Sequence, residues 1–203
     1  FVMAAYFGGF LTGSRYSEYM LARVGHIRVF AGLASMASSA VLIHALFINP
    51  FTWGAMRFVT GMCMAGLYVV AESWLNDLAT NKTRGRLLSI YMVVTMGGMT
   101  AGQFLLDAAD PDGVKLFLLA SVLVSASLVP VALSASSNPP LAVPEPMSLK
   151  ELFGIIPTGI ISSFWNGAAT GILIGLGAVS AVAVDVPRSR IPVFLAAPLF
   201  GSM

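Results

Sequence analysis

Seven apolar stretches, over residues 1–21, 27–48, 52–77, 84–108, 114–135, 155–184 and 191–203, fill almost the whole sequence. Most reach the roughly 20 residues that a helix needs to cross the hydrocarbon core of a bilayer. Within that core every backbone amide must be paired inside a helix or a closed barrel. Strands of a barrel are about ten residues long and alternate in polarity. These stretches are too long and too evenly apolar for that, so the expected fold is all-α, a polytopic membrane helical bundle. Composition points the same way: 57% of the 203 residues are hydrophobic and 10% are charged, with a mean hydropathy of +0.86. Soluble domains carry about 25% charged residues. A chain so poor in polar surface needs a lipid bilayer around it. The net charge of +2 implies no nucleic-acid partner.

The breaks between stretches carry turn chemistry: Arg23-Val24-Gly25-His26, Asn49-Pro50, Thr80-Asn81-Lys82 and Asp110-Pro111-Asp112-Gly113. Cations divide unevenly between the two sides. With residue 1 outside, Arg15, Arg23, Arg28, Lys82, Arg84, Arg86 and Lys150 fall on the far side, and Lys115, Arg188 and Arg190 on the near one. The richer side is expected to be cytoplasmic. The first residue is Phe and starts inside an apolar run, and the last stretch is too short to cross, so the sequence is expected to be part of a longer chain.

Residues 136–152 stand apart. Four prolines in "ASSNPPLAVPEPMSLKELF" favour extended backbone, so this segment reads as a linker between a bundle over 1–135 and the start of a second over 153–203. Ser148 and Glu151 have the spacing of a helix capping box. Glycines four apart (Gly9 and Gly13, Gly98 and Gly102, Gly167, Gly171 and Gly175) mark faces where helix backbones can approach closely. Ordinary packing and sliding during transport are both open readings of them. Cys63, the only cysteine, reads as a small core residue.

Several motifs resemble one family. "ARVGHIRVF" is similar to the signature loop of the major facilitator superfamily, G-x-x-x-D-R-x-G-R-R, through Arg23, Gly25 and Arg28. His26 stands where a basic residue is usual, Ala22 where an acidic one is, and Glu18 where the first glycine is. "RFVTGMCMA" resembles the fourth-helix pattern R-x-x-x-G, matched by Arg57 and Gly61. "NKTRGRLLSIY" resembles the following loop and helix start, with Arg84 and Arg86, and "AESWLN…TRGRLLSIYMVV" is similar to the bacterial YcaD-like branch. The resemblance implies superfamily helices two to eight, with helix one and most of the C-terminal half outside this sequence. It makes residues 136–152 the central cytoplasmic loop, in a bacterial inner membrane. It implies a secondary active transporter moving a small molecule by alternating access, with proton coupling the default and no cofactor. The substrate site then lies between the two halves near the bilayer midplane.

Two charges lie inside apolar stretches. Arg57 and Glu72 are fifteen positions apart, roughly 22 Å along a helix, too far to pair with each other. Each is costly in the hydrocarbon. Glu72 is expected to pair with Arg23 or Arg86 and clasp helices at the cytoplasmic end; carrying a proton and anchoring at the interface are the alternatives. Arg57 is expected to snorkel to the outer headgroups, while the resemblance implies a part in proton coupling. Gln103, Trp165 and Asn166 are candidates to line a substrate cavity, and His44, near an outer loop, reads as solvated or interfacial. No phosphate-cradling loop, nucleophile elbow or metal-spaced His/Cys/Asp cluster occurs, so the sequence does not read as an enzyme. A rival expectation is a transport-inactive subunit of the same fold, whose exposed helix faces scaffold or help assemble a larger membrane complex with protein partners.

Overall fold

A computed structural model describes residues 1–110, 113–134, 148–187 and 190–200. The linker positions 136–147, Pro111 and Asp112 of the fourth break, and Arg188 of the cation count lie outside the described residues. The rest is helical: α1 (Val2–Val24), α2 (His26–Leu46), α3 (Pro50–Leu78), α4 (Arg84–Phe104) closed by a 3-10 turn (Leu105–Ala108), α5 (Lys115–Ala132), α6 (Leu149–Ile155), α7 (Pro157–Ala183) and α8 (Ile191–Phe200). Among the described residues, α2, α3, α4, α5 and Pro157–Gly177 of α7 are long and apolar enough to span a bilayer. The chain is a multi-pass membrane protein. α1 is long enough, but Arg15, Glu18 and Arg23 dilute its apolar character, and α8 is short.

The helix ends follow from local chemistry. Gly25 alone separates α1 from α2; its φ of 83° lies where a side chain is strained, and its N–H closes the last turn of α1 on the Leu21 carbonyl at 3.0 Å. Asn49 caps α3 by accepting the Phe51 N–H at 2.9 Å, with Pro50 in the first turn. Ser148 and Glu151 form the expected capping box: the Ser148 hydroxyl accepts from the Glu151 N–H, while the Glu151 carboxylate accepts from the Ser148 N–H at 2.8 Å. Those donations, from the Ser148 backbone first and its hydroxyl second, hold the Glu151 carboxyl below the usual carboxylate range.

The described residues divide into two units. In the first, made of α1, α2, α3, the start of α4, and α5, α1 and α2 pack on α3 and α5 packs on α2. The α1–α3 crossing is backbone against backbone. A methyl group on Gly9 would collide with Phe58, one on Gly13 with Met62, and one on Gly61 with Tyr6, in each case at main-chain atoms. Lipid supplies no hydrophobic force between helices, so this close approach is what holds α1 to α3. Leu21, Val29, Leu33, Ala37, Cys63 and Val70 form the core beside it. Ser38 bridges α2 to α5, its hydroxyl 2.7 Å from that of Ser121 and 2.9 Å from that of Ser125. The second unit holds the rest of α4 and α6–α8, where α7 packs on α6 and on α8. There the glycine spacing does not mark a contact: methyls on Gly98, Gly102 or Gly167 would meet nothing within 4 Å.

Candidate functional site

The first unit buries two histidines, one near each end of α2. One lies where α1 turns into α2 at Gly25. The one-residue turn seats His26, 0% exposed, against the C-terminal end of α3. Its Nε2 lies 3.4 Å from the Asp77 carboxylate and 3.3 Å from the Ser73 hydroxyl, and its ring lies against that of Trp74 with centroids 5.9 Å apart. Asp77 lies three residues beyond Trp74 and four beyond Ser73, so neighbouring positions of α3 bring all of them to a single imidazole. His26 Nδ1 and Trp74 Nε1 are buried without a hydrogen-bond partner. Arg23 and Arg28 flank this turn at exposed positions, the Arg23 guanidinium 4.4 Å above the Tyr19 ring, and Arg84 and Arg86 are exposed at the start of α4.

This corrects the expected clasp. Among the described residues Glu72 forms no ion pair with Arg23 or Arg86. It is exposed and accepts from the Tyr91 hydroxyl at 3.4 Å, a long contact that links α3 to α4. The contact at this end belongs to His26 and Asp77, neither of which the sequence reading had chosen. The signal was present: His26 occupied the motif position of a cation, and Asp77 is the nearest carboxylate beyond Glu72 on the same helix.

The opposite end is built around His44. It is 4% exposed, not solvated, because the α2–α3 turn folds Trp53 back over it. The Trp53 indole N–H donates to the His44 carbonyl at 3.1 Å, and its ring meets the imidazole edge-on at 5.6 Å. Phe117 of α5 stacks on the imidazole 6.5 Å away and 13° from parallel, and meets Trp53 edge-on at 6.3 Å. The imidazole Nδ1–H donates to the Ala40 carbonyl at 2.7 Å, which leaves Nε2 buried and unpartnered. Arg57 lies one turn beyond Trp53 on α3. Arg57 is partly buried, and its Nε has no partner. Gly61 completes the motif one further turn along, as the residue that admits the Tyr6 backbone.

In the second unit Gln103 is partly buried in α4, while Trp165, 68% exposed, and Asn166 are exposed on α7. Trp165 meets the ring of Phe164 edge-on, and no hydrogen bond or ring contact joins it or Asn166 to Gln103 among the described residues. The structure does not bring these three together. No group of three metal-ligating side chains occurs among the described residues.

No family model matches the chain, and no solved structure matches it. Curated proteins do. It is 31% identical over 130 residues to a protein of Escherichia fergusonii named as an uncharacterized MFS-type transporter YcaD, covering 64% of this chain and 34% of that one. It is 27% identical over 177 residues to a protein of the same name from Escherichia coli strain HS, covering 86% of this chain and 46% of that one. The chain thus spans between a third and about half of the length of these relatives. Its helical membrane fold and the order of its motifs agree with this likeness to YcaD-type proteins of the major facilitator superfamily.

Proposed function

We propose that this chain is part of a secondary active transporter that moves a small molecule across the bacterial inner membrane by alternating access, driven by protons. The observation that carries the reading is the docking of the signature turn on α3. Gly25 and His26 tie the α1–α2 connection to Asp77 and Ser73 through a contact that is polar, small and breakable. That is the kind of joint a rocking bundle can open and close, because its loss exposes little apolar surface. Arg23, Arg28, Arg84 and Arg86 gather at the same end, which supports a cytoplasmic assignment for it and for residues 136–152. In this reading Gly61 keeps α1 and α3 moving as one body, Arg57 is the polar element near the outer end, and the Glu72–Tyr91 contact steadies α4 against α3. Gln103, Trp165 and Asn166 are offered as cavity residues on their placement within apolar helices.

The full natural protein, reconstituted in liposomes, tests this with a panel of labelled small solutes and an imposed pH gradient. Accumulation of at least one solute, abolished when the gradient is collapsed and slowed by Asp77→Asn, is the expected result. A protein that moves none of them and purifies only with other membrane proteins would sink the transport reading in favour of a scaffolding role.

A further inference from the structure

α1 carries two rows of residues on opposite faces. Gly9, Gly13, Ser17 and Leu21, each four positions from the next, are buried. Leu11, Arg15, Tyr19 and Arg23 repeat that spacing two positions along and are exposed. Two residues turn an α-helix by about 200°, so the second row lies back-to-back with the first. It is apolar at one end and cationic at the other. Leu11 is 73% exposed, and Phe7 one turn before it is exposed too, while an exposed tyrosine separates the two arginines. The Arg23 guanidinium rests over the Tyr19 ring, 4.4 Å from its centre, which restrains the cation but gives it no oxygen acceptor. Arg15 lies eight residues further in, about 12 Å along the axis. Glu18 is exposed nearby, yet among the described residues no ion pair joins it to either arginine. Two cations left unpaired beside an apolar row, in a membrane protein, call for an anion at headgroup depth.

We propose that Arg15, Tyr19 and Arg23 form a binding site for the phosphate of an anionic phospholipid. A phosphate seated beside Tyr19 is about 6 Å along the axis from the Cα of either arginine. Guanidinium groups donate to phosphate oxygens in paired, charge-assisted bonds, and the tyrosine hydroxyl adds a third donor. Tyr16, also exposed, sits at the same level, where amphipathic rings favour the membrane–water boundary. Phe7 and Leu11 continue the row along the acyl chains. A zwitterionic headgroup would bring a cation of its own to this pair, so a phosphate without one is the better fit. Arg84 and Arg86 at the start of α4 are exposed as well, but among the described residues no aromatic ring holds either of them. They carry the same charge without the tyrosine between. The lipid site does not depend on the transport reading.

Native mass spectrometry of the full natural protein in detergent, titrated with phosphatidylglycerol or with phosphatidylcholine of the same acyl chains, tests the proposal. Phosphatidylglycerol is expected to bind first and more tightly. Arg15→Gln and Arg23→Gln should each weaken its binding about fivefold and leave phosphatidylcholine binding unchanged. Tyr19→Ala should weaken it too, whereas Tyr19→Phe, which keeps the ring under Arg23, should retain most of the affinity. The substituted side chains are exposed, and thermal unfolding by circular dichroism checks that each variant is folded. The Arg84→Gln/Arg86→Gln double variant should bind phosphatidylglycerol as the wild type does. A loss there as large as in Arg15→Gln/Arg23→Gln would mean that any surface charge suffices, and would overturn the site. Equal binding of the two lipids overturns it as well. So does binding indifferent to Arg15 and Arg23, the result expected if another part of the full protein covers this face.

Discussion

The α1–α3 crossing makes a sharp prediction at Gly61. An alanine there adds a single methyl group, yet that methyl would overlap the Tyr6 carbonyl, with the Tyr6 carbonyl carbon at 2.9 Å and the Phe10 nitrogen at 3.1 Å. All three are main-chain atoms, so no rotamer change relieves the clash and the two helices must separate. A gap of 0.5–1 Å forfeits about a quarter to a half of each dispersion contact along the crossing, and overpacking of this kind costs about 1–3 kcal/mol. The same substitution at Gly98 meets nothing within 4 Å. There it should gain the about 0.5–1 kcal/mol by which alanine exceeds glycine inside a helix. The two chemically identical variants should therefore differ by about 1.5–4 kcal/mol, in opposite directions from the wild type. Reversible unfolding of each variant in matched mixed micelles measures this. A Gly61→Ala protein as stable as the wild type, or a Gly98→Ala protein that is the weaker of the two, would refute the close-approach argument.

Three further outcomes are expected. Ser38→Ala should lower stability in the same unfolding assay by about 0.6–1.7 kcal/mol, because it leaves the Ser121 and Ser125 hydroxyls of α5 without their partner on α2; Ser39→Ala, whose hydroxyl bonds only its own helix, should be near neutral. The capping box at α6 favours ionised Glu151, so its contribution is complete above the unfolded glutamate value of 4.5 and fades as pH falls through the lower folded value; carboxyl NMR should show this midpoint return toward the ordinary one in Ser148→Ala. Asp77→Asn should raise labelling of a cysteine placed at Ile27, a partly buried position beside the turn, by a membrane-impermeant thiol reagent, since the His26–Asp77 contact that seats the turn is weakened; unchanged labelling would mean the pair does not hold it.

Length and hydropathy were enough to read the helices, because lipid leaves a chain with long apolar runs no other way to pair its amides. Turn chemistry placed their ends for the same reason, Gly25 and Asn49 being where a single residue must satisfy a helix terminus. The side-chain pairings were not legible. Glu72 was chosen because it lies deep in an apolar run, but depth says nothing of azimuth, and the charge that meets α2 is Asp77, five residues further along α3 and on the face where α2 packs. His44 was misread for a related reason. Proximity to a turn suggests solvent, yet this turn sends Trp53 back across the histidine and Phe117 arrives from a helix more than 60 positions away. Apolar periodicity is weak in helices surrounded by lipid on some sides and helix on others, so sequence alone does not say which face is which. The small residues do: Gly9, Gly13 and Gly61 are legible as an interface once two helices each carry them, whereas Gly98 and Gly102, with the same spacing, face nothing. Spacing identifies a surface that can be approached closely; only a partner helix decides whether it is.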